Sequence, residues 1–408
     1  MAVNSGDAVQ SFYERMPYPP PLSNLDRQRE LYANPQRRLA VFHLRSPAGD
    51  PGVRQEILVA GCGTFQAAVA AVREPNSHVT GIDFSETSLR HTEKLQQAYA
   101  LKNLELHQLS IPDVGKLGRT FDQILCTGVL HHLPDPDLGL KSLRDVLDRN
   151  GTMQVMVYAA LGRSGVYMIQ EYCRLAGVTP SPKELEDLGK ALNYLPGDHP
   201  LVPLLHSTKD FKHPDALADL LLHPQDRAYT VPQLHEWLDR CGMSFGRWFE
   251  QAPYLPQCGA LANTPHAARL AALPEFVQHA AVELFRGSMI QHHFVAYRDD
   301  CLCPRQPVVF SGDDWRDYIP IRLPWTAIVR DRLPAGSAAV LRNPGHKYAD
   351  LGLPVNSAEL ALFEQIDGTR TLDEIVAGGG TVAQDSPQFF RQLWLYDQIV
   401  FDTSRVQK

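Results

Sequence analysis

Between Glu56 and Ala159 the apolar positions follow two alternating rhythms. The runs EILVA, HVTGID, NLELHQLS, FDQILCTGVL and TMQVMVYA are nearly continuous in aliphatic residues, which predicts five strands buried on both faces, as in a parallel sheet. Between them, QAAVAAV, SETSLRHTEKLQQAYAL and DPDLGLKSLRDVL repeat their apolar residues at helical spacing. Ser85 is placed to cap the second helix, with Glu86 in its first turn. Strand and helix in strict alternation predict an α/β fold. After Ala160 the rhythm breaks, and residues 161–228 read as an inserted helical cap containing TPSPKELEDLGKAL and HPDALADLLLH. The pattern then resumes with the amphipathic helix TVPQLHEWLDRCG, a sixth strand in SFGRWFEQ, the helix PEFVQHAAVELFRG and a seventh strand in HHFVAYRDD. Thickening prolines from Pro304 mark a linker to a small C-terminal module. That module holds NSAELALFEQIDGTRTLDEIVAG, a glycine break at Gly378 to Gly380 and FFRQLWLYDQIVF. The expected division is an N-terminal aromatic segment over 1–50, a sheet domain with its cap over 51–303, and a linker with a small domain over 304–408.

Composition narrows the function classes. The chain has 408 residues, of which 44% are hydrophobic and 21% charged, as expected of a folded protein. A net charge of -7 removes any general attraction to nucleic-acid backbones. No run of roughly 18 apolar residues and no basic-then-apolar signal segment is evident, so the expectation is a cytoplasmic protein without a membrane partner. Seven cysteines, an odd number, suit reduced thiols better than a disulfide framework. Cys301, Cys303, His292 and His293 are four soft ligands close in sequence, but Cys-x-Cys is tighter than a structural zinc knuckle and the histidines fall in a strand, so no metal site is expected.

The chemistry centres on ILVAGCGTFQ. A strand ending in Gly61-Cys62-Gly63 and feeding a helix leaves backbone N–H groups and little side-chain bulk at the carboxyl rim of the sheet. The third glycine of the dinucleotide fingerprint is missing, since Thr64, Phe65 and Gln66 follow, which disfavours NAD. One βα unit downstream, Asp83 ends HVTGID, where a carboxylate can accept both hydroxyls of a ribose.

In that order, EILVAGCG, VTGID and FDQILCTGVLHHLPD resemble the first, second and fourth strand motifs of class I S-adenosylmethionine-dependent methyltransferases. The resemblance covers about residues 12–298 and is strongest from Glu56 to Ala159. It implies a Rossmann-like seven-stranded sheet with its last strand antiparallel and S-adenosylmethionine across the carboxyl ends of the first strands. By position, Ala60, Gly61, Cys62 and Gly63 would face the methionine part. Asp83 would hold the ribose, with Phe84 beside the adenine and Ser85 next to it. Ser110 and Ile111 would bracket the adenine, although Ser110 stands where relatives carry an acid. Thr127, Gly128 and Val129 would floor the site under the sulfonium. The early SFYERMPYPPP resembles an aromatic and proline lid in some of these enzymes. Its Tyr13 and Tyr18 either close over the sulfonium, as an aromatic face attracts a cation, or simply anchor the segment by burial.

Because the sulfonium is already activated, positioning supplies much of the rate, and a base is needed only for a protonated nucleophile. His131 and His132 directly follow the fourth strand. His131 is the candidate base and His132 a cofactor contact, although either ring can equally hold a neighbouring loop. Tyr158, Tyr167 and Glu171 are further candidates for the acceptor side, the last two sharing a helical face by their spacing of four. Met168 and Tyr172 read as a stripe packed onto the sheet. The activity expected is methyl transfer to a small metabolite or natural product enclosed by the cap. An alternative is a peptide or protein acceptor, because the C-terminal module distantly resembles small winged-helix modules that hold leader peptides. That module is otherwise a structural tail or the seat of a homodimer. A scaffold that has lost its chemistry is the remaining alternative.

Overall fold

The computed structural model describes residues 9–10, 13–15, 17, 19–207, 213–301, 308–378 and 386–406. Its centre is a sheet built from β1 (Glu56–Ala60), β2 (His78–Asp83), β3 (Leu104–Gln108), β4 (Phe121–Thr127), β5 (Leu147–Ala159), β6 (Ala228–Tyr229), β7 (Met243–Trp248) and β8 (Gln291–Arg298). The order is β3-β2-β1-β4-β5-β8-β7, and the two-residue β6 pairs with β5. Strands β1 to β5 are parallel, whereas β8 runs antiparallel to both β5 and β7. This is the expected seven-stranded sheet with one reversed strand, plus the short β6. The strand order reverses between β1 and β4, and that switch point opens a crevice at the carboxyl ends of the strands.

Successive strand residues point to opposite faces, so β1 feeds two cores. Ile57 and Val59 meet Ala67, Ala70, Leu89 and Leu95 of the helices Gln66–Arg73 and Glu86–Ala98. Leu58 and Ala60 face Leu140 and Leu143 of the helix Pro136–Val146, with Trp237 of the helix Val231–Arg240 in the same core. Each such aliphatic side chain, fully buried, contributes about 1.5–3 kcal/mol. The rigidity of this layer fixes the loops at its rim.

The cap interrupts the chain between β5 and β6 with helices Ser164–Ala176, Pro182–Leu192, Val202–Ser207 and Pro214–Leu222. It has its own core of Val166, Ile169, Cys173, Leu185, Leu188, Leu217 and Leu221. Ser181 caps the second of these helices by accepting from the Glu184 amide, and Gly177 ends the first in the left-handed region at φ 68°. The expected packing of Met168 and Tyr172 is corrected here. Val166, Ile169 and Cys173 supply the inward face at spacings of three and four, so Met168 and Tyr172 are turned outward and are 52% and 51% exposed.

Downstream of the linker, β9 (Ile319–Arg322) pairs with β13 (Ile399–Asp402), and β10 (Ala327–Val329), β11 (Ala339–Arg342) and β12 (Leu353–Val355) form a second small sheet. Helices Ser357–Glu364, Leu372–Gly378 and Ser386–Leu395 pack with them around Phe363, Phe390 and Phe401. This region is pinned to the rest by Asp397, which is buried, accepts from the Ala252 amide at 2.9 Å and from His346 Nε2 at 3.0 Å, and meets Arg247 at 3.4 Å. Gly379 and Gly380 of the expected glycine break lie outside the described residues.

Candidate functional site

The turn after β1 is held in shape by backbone conformations that suit glycine. Gly61 and Gly63 have φ of 68° and 53°, and a Cβ on Gly61 would stand 2.5 Å from Val129 Cγ2. Asp83 fastens this turn to the second strand, because its Oδ2 accepts from the Gly63 amide at 2.8 Å and its Oδ1 from the Ser85 amide at 2.9 Å. Burial raises its pKa to about 6, against the pull of those amides. Ser85 lies behind it as the helix cap, its hydroxyl accepting from the Ser88 amide at 3.1 Å.

These groups line a cavity of 410 Å³. From the rim come Gly61, Gly63, Asp83 and Phe84, and from beneath come Thr127, Gly128 and Val129, with Gly128 at φ 79°. Tyr13, His132 and Tyr158 complete the expected residues that reach it. Others stand back from its wall. Ala60 and Cys62 are buried in the two sheet cores. Ile111 packs in the core under the third strand, and the Ser110 hydroxyl donates to Asp113 at 2.8 Å. Glu171 is 54% exposed and is paired with Arg174 at 2.6 Å, away from the cavity. Tyr167 is also not part of the wall; its ring lies 5.8 Å from the Arg163 guanidinium. Tyr18 lies outside the described residues.

The two histidines after β4 have different surroundings. His131 is fully buried behind the wall, its ring centroid 4.0 Å from Tyr158 and 4.1 Å from His132, and burial drives its pKa well down. Among the described residues neither of its ring nitrogens has a hydrogen-bond partner. His132 faces the cavity, and its Nδ1 donates to the Gln225 carbonyl at 2.8 Å, which leaves Nε2 with a lone pair. Gln225 also donates its amide to His223 Nδ1 at 3.0 Å and its side chain to the Leu133 carbonyl at 2.8 Å. One cap residue thereby fixes two imidazoles and the loop between β4 and the next helix.

Sequence reasoning missed the rest of the cavity wall. Arg163 lines the cavity, pairs with Asp226 at 3.0 Å with both side chains nearly buried, and lies 3.5 Å from the Tyr158 ring centroid. Asp219, on the cap helix Pro214–Leu222, also lines it and accepts from the Tyr13 hydroxyl at 2.9 Å. The available signal was ALADLLL, in which Asp219 is the single polar residue of an apolar run. His132, Asp219 and His223 bring ligand atoms within 4.8 Å of one another. The Gln225 amide takes the Nδ1 lone pair of His223, however, so the proton of the neutral ring sits on Nε2, and that nitrogen offers no lone pair to a metal. The other soft-ligand set is dispersed. His292 bonds the Tyr229 carbonyl and the Tyr254 hydroxyl, His293 stacks on Phe249 from the opposite face, and Cys303 lies outside the described residues.

The early segment reaches over this cavity and is attached on both sides. Glu14 accepts from the amides of Glu86 and Thr87 at the start of the helix after β2, and Gln10 donates to the Phe84 carbonyl at 3.1 Å. The Thr64 hydroxyl donates to the Pro19 carbonyl at 2.7 Å. Tyr13 meets Phe84 edge-on at 6.2 Å while bonding Asp219 of the cap.

Residues 58–153 match the family model described as a methyltransferase domain. An uncharacterized protein of Synechococcus sp. is 29% identical over 252 residues, which is 59% of this chain and 60% of that protein. An uncharacterized protein of Rickettsia prowazekii is 36% identical over 80 residues, 19% of this chain and 14% of that protein. The chain thus spans about three fifths or less of the length of these curated relatives. Among solved structures, PKMT2 from Rickettsia typhi in complex with AdoHcy superposes with a TM-score of 0.64 at 17% identity, covering 94% of this chain and 77% of that one. No described helix is long and apolar enough to cross a membrane. Residues 58–153 are thus similar to a methyltransferase domain, and the chain shares its fold with PKMT2 from Rickettsia typhi.

Proposed function

We propose that the protein transfers a methyl group from S-adenosylmethionine to an acceptor enclosed between the sheet rim and the cap. The observation that carries this reading is that a single cavity is walled by the glycine turn and Asp83 on one part and by cap side chains on the other. The donor fits the residues present. Asp83 has lone pairs beyond those given to Gly63 and Ser85, suited to the ribose hydroxyls, and Phe84 offers a ring beside the adenine. Tyr13 presents an aromatic face and Thr127 to Val129 a small-residue floor for the sulfonium. When bound, S-adenosylmethionine supplies an activated methyl carbon for in-line displacement. The chain's residues hold it in line, exclude water with Tyr13 and the cap, and orient the acceptor.

A small metabolite or natural product is the acceptor that best suits a covered cavity of this size. One observation favours the second reading, a peptide. A further cavity of 550 Å³ shares Leu204, Ile290 and Gln291 with the first and is bounded by Gly345, Lys347 and Tyr348 from the C-terminal region. An extended acceptor can lie along it. Titration calorimetry with S-adenosylhomocysteine tests the function: binding to the native chain, lost on Asp83→Ala, is expected, and no binding to the native chain rejects it. Deletion after Val308 separates the acceptors, since a docking region raises KM for a peptide whereas a structural one lowers stability.

A further inference from the structure

We propose that Asp219 is the proton-accepting residue of the transfer, held for that task by Tyr13, and that the acceptor is an amine or a hydroxyl. This rests on the methyl-transfer reading above. Asp219 is buried on the cap helix, yet it lines the cavity that also contains Gly61, Gly63 and Thr127. Its Oδ1 accepts from the Tyr13 hydroxyl, and among the described residues its Oδ2 accepts no hydrogen bond. A buried carboxylate ordinarily satisfies both oxygens, so the second is left for a donor that arrives with the ligand.

The groups around it set its proton affinity. Burial raises the carboxyl to about 7, with Asp226 pushing the same way, while the Tyr13 hydrogen bond and Arg163 pull it down. His132, Tyr158 and Asp83 also line this space, and His223 stands behind the Tyr13 and His132 rings. An acid of that strength is matched to proton transfer near neutral pH. His132 is a poorer base, because burial lowers it to about 4, and His131 does not reach the cavity. In the step, the nucleophile's lone pair forms the bond to the methyl carbon as the carbon–sulfur bond breaks with its electron pair going to sulfur. The nucleophile's proton passes to Asp219 Oδ2 and later to water. A thiol, which ionises appreciably near neutral pH, has no such need.

The test uses the full chain, with n-butylamine and 2-mercaptoethanol as probe acceptors and a methyl-labelled donor. Asp219→Asn should lower kcat for the amine by about 100-fold, consistent with loss of a general base, and spare the thiol. S-adenosylhomocysteine affinity by calorimetry should stay within about threefold, which separates this proposal from failure of the donor site. Tyr13→Phe keeps the carboxylate but removes a bond to its charged form, so the acidic limb of the amine profile should move to higher pH. Infrared difference spectra of the S-adenosylhomocysteine complex supply a readout independent of any acceptor. A protonated carboxyl that disappears between about pH 6 and 8 in the native chain, and is absent in Asp219→Asn, is expected. Amine and thiol rates falling equally, or no carboxyl titrating in that window, overturns the assignment.

Discussion

The two halves of the cavity are built by different means. The donor half is backbone: glycine turns at Gly61, Gly63 and Gly128, amides from Gly63 and Ser85, and one carboxylate to tie them. The acceptor half is side chain, assembled from Tyr13, His132, Arg163, Asp219 and Asp226, which are up to 213 positions apart in the chain. A backbone cradle tolerates few residue types but is specified by a few neighbours in sequence. A side-chain wall tolerates change at any one position, provided that its charges stay balanced.

Perturbing that balance should give the largest effect. Arg163→Leu leaves Asp226 buried without its cation, at a cost of about 3–5 kcal/mol in chemical denaturation. Replacing both, Arg163→Leu with Asp226→Leu, should recover most of that loss. A single variant as stable as the native chain would mean that this half has no electrostatic frame. Next is Asp83→Ala, which frees the glycine turn and removes the carboxylate proposed to accept the ribose, and which should lower S-adenosylhomocysteine affinity by at least about 100-fold. Its titration sharpens the contrast. The folded pKa, about 6, lies above the ordinary carboxyl value near 4, so the ligand-free protein gains stability from this proton below about pH 4 and loses it as pH rises through 6. Donor affinity should rise over that same interval, because the ionised form accepts the ribose, and paired melts at pH 4.5 and 7 with and without ligand will show whether the trends oppose.

Smaller effects follow. Gly128→Ala places a Cβ at φ 79°, which should cost about 1–2 kcal/mol in stability. Glu14→Gln weakens the anionic cap on the helix after β2, lowering stability by about 0.5–1 kcal/mol and loosening the donor more than the acceptor. At the bottom, Glu171→Ala should leave kcat/KM unchanged within twofold, since that side chain is in solvent with Arg174.

The same contrast explains what could be read from the chain alone. ILVAGCG and VTGID each confine a strand, a turn and its functional group to fewer than ten residues, so local rules of conformation locate them. The alternation of strands and helices and the cap insertion were legible for the same reason. Asp219 was not, because HPDALADLLLH looks like any helix whose acids face water, and only the packing of the cap turns Asp219 inward. Gln225 carries no chemical signature at all; its importance lies in a backbone amide and carbonyl that happen to meet two rings. Met168 and Tyr172 misled in the opposite direction, since large apolar residues at helical spacing suggest burial, and a cap only a few helices thick has an outer side.

The segment around Tyr13 and Glu14 has a kinetic consequence. It grips the helix after β2 with a carboxylate and the cap with a phenol, so exchanging spent donor for fresh requires both grips to open together. Turnover should then be paced by that opening, with the first round of product appearing as a rapid burst before a slower steady rate, and a Tyr13→Phe enzyme should shorten the lag between rounds even where its transfer step is impaired.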